Sequence, residues 1–145
     1  MTQTTTSLTL PQYRQLLTHI DADRSAVWYH LNASPRPAFT KTVLGEIIDL
    51  HQQIKTHLNG KGKAEHDIRY LVVASAAPGV YSLGGDLNLF SRSIRDRNRD
   101  ALMQYARLCI DCVFSNSTNV GIPELTTISL VQGSALGGGF EAALS

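Results

Sequence analysis

Apolar and polar positions switch period along this chain, and the switches mark its elements. Ser25 to Leu31 is rich in aromatic and branched residues and predicts a strand. Pro35-Arg36-Pro37 then imposes an extended elbow that cannot continue sheet pairing. From Val43 the pattern turns helical: Val43, Leu44, Ile47, Ile48, Ile54 and Leu58 share one face. Thr40 or Thr42 is the cap, and Asn59-Gly60 supplies a left-handed stop. Tyr70-Leu71-Val72-Val73-Ala74 is a continuous apolar run of strand length, the pattern of a strand covered on both faces. Ala77-Pro78-Gly79 turns the chain, and Val80 to Leu87 is a Gly-containing strand-to-helix junction, with Asp86 as cap or first-turn acid and Leu87, Leu89, Phe90 and Ile94 following.

The next helix is predicted over residues 101–114, with Leu102, Tyr105, Ala106, Cys109, Cys112 and Val113 on one side. Residues 115–119 end it, and Gly121-Ile122-Pro123 bars helix and strand alike. Thr126 to Val131 is the last strand, and it leads into Gly133-Ser134-Ala135-Leu136-Gly137-Gly138-Gly139-Phe140-Glu141, where a final helix opens. The order is an α/β alternation whose crossovers are long enough for parallel, right-handed connections.

Outside these elements the signal weakens. Residues 1–24 read as a weakly ordered amino-terminal arm, in which Leu8, Leu10, Leu16, Leu17 and Ile20 dock an arm or short helix and the Thr-rich start is mobile. Residues 25–145 form the domain. Residues 61–67 read as a solvated polar link, and residues 92–100, of mixed sign, as a solvated face or loop.

Composition narrows the function. With 43% apolar and 17% charged residues, the 145-residue chain is globular rather than disordered. Thirteen basic and twelve acidic side chains leave a net charge of +1, which recruits neither nucleic acid nor an anionic membrane. No apolar run reaches membrane-spanning length, and the polar start lacks a signal-peptide layout, so the expected location is cytoplasmic. Cys109 and Cys112 spell CxxC inside a helical pattern, with no second pair for zinc and no strand-to-helix junction for redox chemistry. They read as reduced thiols, and the five histidines share no ligand spacing, so no metal site is expected.

The chemistry-bearing features are the two glycine junctions. Neither ends in the Gly-Lys-Ser/Thr of a phosphate loop, and no GxGxxG is present. Each alone reads as a tight turn or a close helix–strand contact. Following adjacent parallel strands, however, two such junctions aim two backbone N–H groups at one point. Two converging donors suit a carbonyl that becomes an enolate or a tetrahedral anion; losing one typically costs on the order of 3 kcal/mol of transition-state stabilisation. Glu141 falls in the first turn of the closing helix, where an acid either stabilises the helix terminus or handles protons. Apolar neighbours, Phe140 among them, are expected to desolvate its carboxylate.

Tyr81-Ser82-Leu83-Gly84-Gly85-Asp86-Leu87 and the segment from Gly133 to Glu141 resemble the two signature segments of the crotonase (enoyl-CoA hydratase/isomerase) superfamily. The resemblance implies a repeated ββα spiral, an α/β fold, here truncated before its carboxyl-terminal helices. It implies oxyanion N–H donors at Gly85 and Gly138, a catalytic carboxylate at Glu141, and substrate-binding positions at Leu83, Gly84, Asp86, Leu136, Gly137 and Phe140. Leu83 stands where the family usually has a small residue. With Val27-Trp28-Tyr29, Pro35 to Thr40 and Ala77-Pro78-Gly79 added, the likeness narrows to the diffusible-signal-factor synthase branch, covering the chain from about Ala26 onward.

That branch dehydrates 3-hydroxyacyl thioesters on acyl carrier protein to cis-2-enoyl chains and hydrolyses the thioester, releasing a fatty-acid signal for bacterial quorum sensing. The implied partners are an acyl carrier protein or coenzyme A thioester, a sensor protein, and further copies of the full-length chain; no separate cofactor is implied. An enoyl-CoA hydratase, or a non-catalytic half-domain that binds a partner protein, are the other readings. The family places a second catalytic glutamate beyond the helix that Glu141 starts, whereas Glu124, the only other nearby acid, precedes the last strand. The 145 residues alone are therefore expected to turn over little or nothing.

Overall fold

The computed structural model describes residues 8–60 and 67–145. Strands β1 (Leu16–Asp21), β2 (Ala26–Leu31), β3 (Tyr70–Ser75) and β5 (Thr126–Ser129) form a sheet in the order β1-β2-β3-β5. Strands β4 (Val80–Ser82) and β6 (Ser134–Ala135) form a second, two-stranded sheet. Helices α1 (Lys41–Asn59), α2 (Leu87–Arg95), α3 (Arg99–Ser117) and α4 (Gly138–Ala143) complete the described elements, with a 3₁₀ turn at Asn119–Gly121.

The apolar run of β3 takes the place its composition demands, between β2 and β5 and parallel to both. Val27, Tyr29 and Leu31 of β2 and Leu71 and Val73 of β3 join a core with Val43, Leu44, Ile47, Leu50 and Ile54 of α1 and Tyr105 and Cys112 of α3. Thr40 caps α1, its Oγ1 accepting from the Val43 N–H at 3.1 Å. Asn98 caps α3 in the same way through the Ala101 N–H.

Four expectations change. The segment read as an arm or short helix contains β1, paired antiparallel with β2. It is held because the Arg14 and Gln15 N–H groups both donate to the Glu46 carboxylate at 2.9 Å, and the Tyr13 hydroxyl donates to Asp49 at 2.7 Å. Those partners lie on α1, so no local pattern announces them. Gly60 ends α1 in an extended conformation, φ −62°, not a left-handed one. Helix α3 starts two residues earlier than predicted and runs on to Ser117. The last strand stops at Ser129, and the chain then makes a separate short strand, β6, which pairs with β4 rather than with the large sheet. The Thr-rich start and all but Asp67 of the expected polar link lie outside the described residues. Among the described residues no helix is long and apolar enough to cross a membrane.

Candidate active site

The two glycine junctions meet because β4 and β6 are parallel neighbours, with Val80 opposite Ser134 and Ser82 opposite Ala135. The Ser134 N–H donates to the Gly79 carbonyl at 2.9 Å, and the Leu136 N–H to the Ser82 carbonyl at 2.9 Å. Beyond this pair the loops touch. A Cβ on Gly84 (φ +86°) would sit 2.7 Å from the Leu136 carbonyl oxygen and 3.0 Å from the Gly138 nitrogen. A Cβ on Gly139 would lie 2.5 Å from the Ser82 carbonyl oxygen. Only glycine allows the backbones this close.

Gly85 and Gly138 therefore stand side by side, the Gly85 nitrogen 3.8 Å from the point where a Gly138 Cβ would be. Among the described residues, neither glycine's N–H donates to a protein acceptor. Both residues line one cavity of about 260 Å³, together with Glu141 and Ala142 of α4. Apolar and aromatic side chains from the core make up most of the remaining wall, including Tyr29, Phe39, Ile47, Phe90 and Tyr105. An apolar hollow with a few convergent polar groups is the form of a small-molecule site, here close to the lower end of the usual size range.

Glu141 lies in the first turn of α4 and is the one carboxylate lining this cavity among the described residues. Its side chain is exposed and makes no hydrogen bond or ion pair there. Phe140, expected beside it, is itself 55% exposed. Phe140, Leu136 and Leu83 all point apolar surface outside the cavity. Asp86 is committed to capping α2, accepting from the Asn88 and Leu89 N–H groups at 3.1 and 3.0 Å. Gly84 and Gly137 shape the two turns and do not line the hollow. Glu124 is exposed and also apart from the cavity.

Several cavity residues were legible only as core or, for Asn116, as a helix end. Tyr105 is 2% exposed, and its hydroxyl accepts from the Asp86 N–H at 3.0 Å while donating to the Phe39 carbonyl. Asn116 is buried and accepts from the Tyr29 hydroxyl at 3.5 Å. A tyrosine on an apolar helix stripe is itself a signal, since a buried hydroxyl must find partners. Burial raises the Cys109 thiol and pushes the Cys112 thiol up to about 12, so neither is a poised thiolate on the cavity wall.

Solved structures share this fold. That of Pseudomonas aeruginosa DspI matches 92% of the chain with a TM-score of 0.70 at 22% identity. The fold is crotonase-like. An enoyl-CoA hydratase/isomerase from Xanthobacter autotrophicus Py2 matches 92% at a TM-score of 0.67 and 24% identity. Human mitochondrial delta3-delta2-enoyl-CoA isomerase matches 90% at 0.66 and 20%. The chain spans about 44%, 44% and 45% of these three crotonase-like structures. No protein-family model matches it, and no curated protein matches it by sequence.

Proposed function

We propose that this protein processes an acyl thioester, with the Gly85 and Gly138 N–H groups as its oxyanion hole and Glu141 as a proton-transfer group. One observation carries the reading: Gly85 and Gly138, whose N–H groups have no protein acceptor among the described residues, line one apolar cavity together with a single carboxylate. The thioester carbonyl oxygen sits between the two donors and the acyl chain lies along Tyr29, Phe39 and Ile47. Removing a proton from Cα gives an enolate, whose charge the two N–H groups hold. The β-hydroxyl then takes up a proton and leaves as water, producing the enoyl thioester. Water adding to the same carbonyl would give a tetrahedral anion on the same donors, and its collapse expels the carrier thiol and frees the acid.

The specific reaction we infer is conversion of a 3-hydroxyacyl thioester on acyl carrier protein to a cis-2-enoic acid of the signal-factor type, in a cytoplasmic enzyme that works as an oligomer. Likeness to the DspI fold and the residues around the two glycine turns support it. The test is to offer the protein at its full natural length 3-hydroxyacyl thioesters on acyl carrier protein and on coenzyme A. Release of free cis-2-enoic acid is expected. Reversible hydration of trans-2-enoyl-CoA as the sole activity would overturn this in favour of an enoyl-CoA hydratase.

The half-domain reading has its own observation. Ile110, Phe114 and Leu144 are each about two-thirds exposed or more, at 65%, 66% and 71%. Ile110 and Phe114 lie one helical turn apart on α3, and on this reading their apolar surface packs against further protein.

A further inference from the structure

We propose that Tyr105 is a positioning residue for the Gly85 oxyanion donor, an inference that rests on the oxyanion reading of the two glycines. Gly85 pairs with Phe39 as a one-residue parallel bridge. On one side the Phe39 N–H donates to the Gly84 carbonyl at 2.8 Å. Because the peptide is trans, gripping the Gly84 oxygen turns the Gly85 N–H the opposite way, off Phe39. On the other side a regular ladder would run directly from the Asp86 N–H to the Phe39 carbonyl. Here the Tyr105 hydroxyl is spliced between them, accepting from Asp86 and donating to Phe39. Both peptide groups flanking Gly85 are thus fixed, one by Phe39 and one by Tyr105.

The phenol is suited to this double role. It is protonated at neutral pH, burial having raised it further above its ordinary range. Its ring is held edge-on by Phe90, centroids 5.2 Å apart. Phe90 also closes the far side of Gly85, its ring atoms 3.2 Å from where a Gly85 Cβ would stand. Tyr105 itself sits in the middle of α3, a helix packed into the main core. The donor is therefore aimed by a side chain whose own position is set by the hydrophobic core, not by the loop that carries the donor. Groups preorganised in this way act on the barrier more than on ground-state binding.

Tyr105→Phe in the protein at its full natural length tests this with two readouts. In the free protein, the Asp86 and Gly85 amides are expected to shift in nitrogen–proton spectra and to exchange with solvent faster. With a 3-hydroxyacyl thioester, kcat is expected to fall about tenfold to a hundredfold while KM stays within about twofold. A lower Tm with kcat and both amides at their wild-type values would mean a merely structural tyrosine and overturns the proposal. Glu141→Gln is assayed in parallel. Undiminished turnover there would sink the catalytic reading but not the linkage, which the two amides decide by themselves. If Tyr105→Phe does not fold, 3,5-difluorotyrosine at this position keeps the ring and hydroxyl but weakens the hydroxyl as an acceptor. An unmoved Asp86 amide in that variant overturns the proposal equally.

Discussion

The two glycine junctions present equivalent N–H groups, yet the chain holds them by different means. The first is anchored from several directions. The Leu83 N–H donates to Pro37 at 2.7 Å, the Gly84 N–H to the Ser82 Oγ at 3.1 Å, and Phe39, Tyr105 and the Asp86 cap bracket Gly85. The second opens α4, a helix of six residues with no side-chain cap, which carries the exposed Phe140 and is flanked by the exposed Leu136 and Leu144. Its main purchase is on the first junction, through the Ser82 carbonyl and the close approach of Gly139 to Ser82. One donor is thus set by the core, and the other is set by contact with the first. If the two N–H groups form the proposed oxyanion hole, its assembly depends on the narrow seam between them.

The largest effect should come from the carboxylate that enters the site on the loosely held side. Glu141→Gln is expected to cut turnover of a 3-hydroxyacyl thioester by about 10²–10⁴-fold, the usual weight of a proton-transfer group. Its thermal midpoint should hardly move, because the carboxylate is exposed and has no side-chain partner among the described residues. Steady-state kinetics beside a melting curve checks both halves. Loss of turnover together with loss of fold would place Glu141 among the structural groups.

Breaking the seam itself comes next. Gly139→Ala puts a Cβ 2.5 Å from the Ser82 carbonyl oxygen and 2.9 Å from its Cβ, so backbone must separate. The expected cost is about 1–3 kcal/mol in urea unfolding, borne by α4 and β6 and not by the large sheet. Exchange protection should fall at Leu136, whose N–H bonds to Ser82, and stay at wild-type levels in β2 and β3. Equal losses in both sheets would show that the seam and the core are not separate units.

The anchored junction inherits whatever weakens α3, because Tyr105 rides on it. Near the other end of that helix, His51 of α1 is buried, its Nδ1 2.8 Å from the Ser115 Oγ, beside a small cavity that Lys55 and Asp111 also line. Its Nε2 is buried without a hydrogen-bond partner among the described residues. Burial lowers its pKa from 6.5 to about 4. As pH falls, the unfolded chain takes up this proton first, so the native state loses stability across the interval between those two values. Above it, the full contribution is present. The loss is expected to reach about 3 kcal/mol at most, read as urea midpoints at pH 7 and pH 4. His51→Asn should flatten this dependence; an unchanged slope would assign the acid sensitivity elsewhere.

Legibility followed the same division between core and seam. The apolar run Tyr70 to Ala74 and the helical stripe from Val43 to Leu58 fixed β3 and α1, because burial on many positions writes a period into the chain. The site was legible as glycines, since close backbone approach excludes every other residue at Gly84 and Gly139. What escaped was held by single long-range polar contacts. Glu46 pins the segment before β1 across 31 and 32 positions, and Tyr105 reaches Phe39 across 66. One hydrogen bond leaves no periodic trace. Strand β6, two residues long, is likewise defined by its partner and not by its own composition.

The smallest predicted effect separates cap from donor within the anchored junction. The Asp86 side chain accepts from the Asn88 and Leu89 N–H groups, whereas its own backbone N–H serves the Tyr105 hydroxyl. Asp86→Ala removes the first role and keeps the second. The lost cap should cost about 1 kcal/mol, seen as fraying of the first turn of α2. The Gly85 amide should hold its wild-type position, because Phe39 and Tyr105 still grip both flanking peptides. A Gly85 shift as large as that of Tyr105→Phe would mean that α2, not α3, aims the donor, and the contrast between the two junctions would then reduce to which helix follows each one.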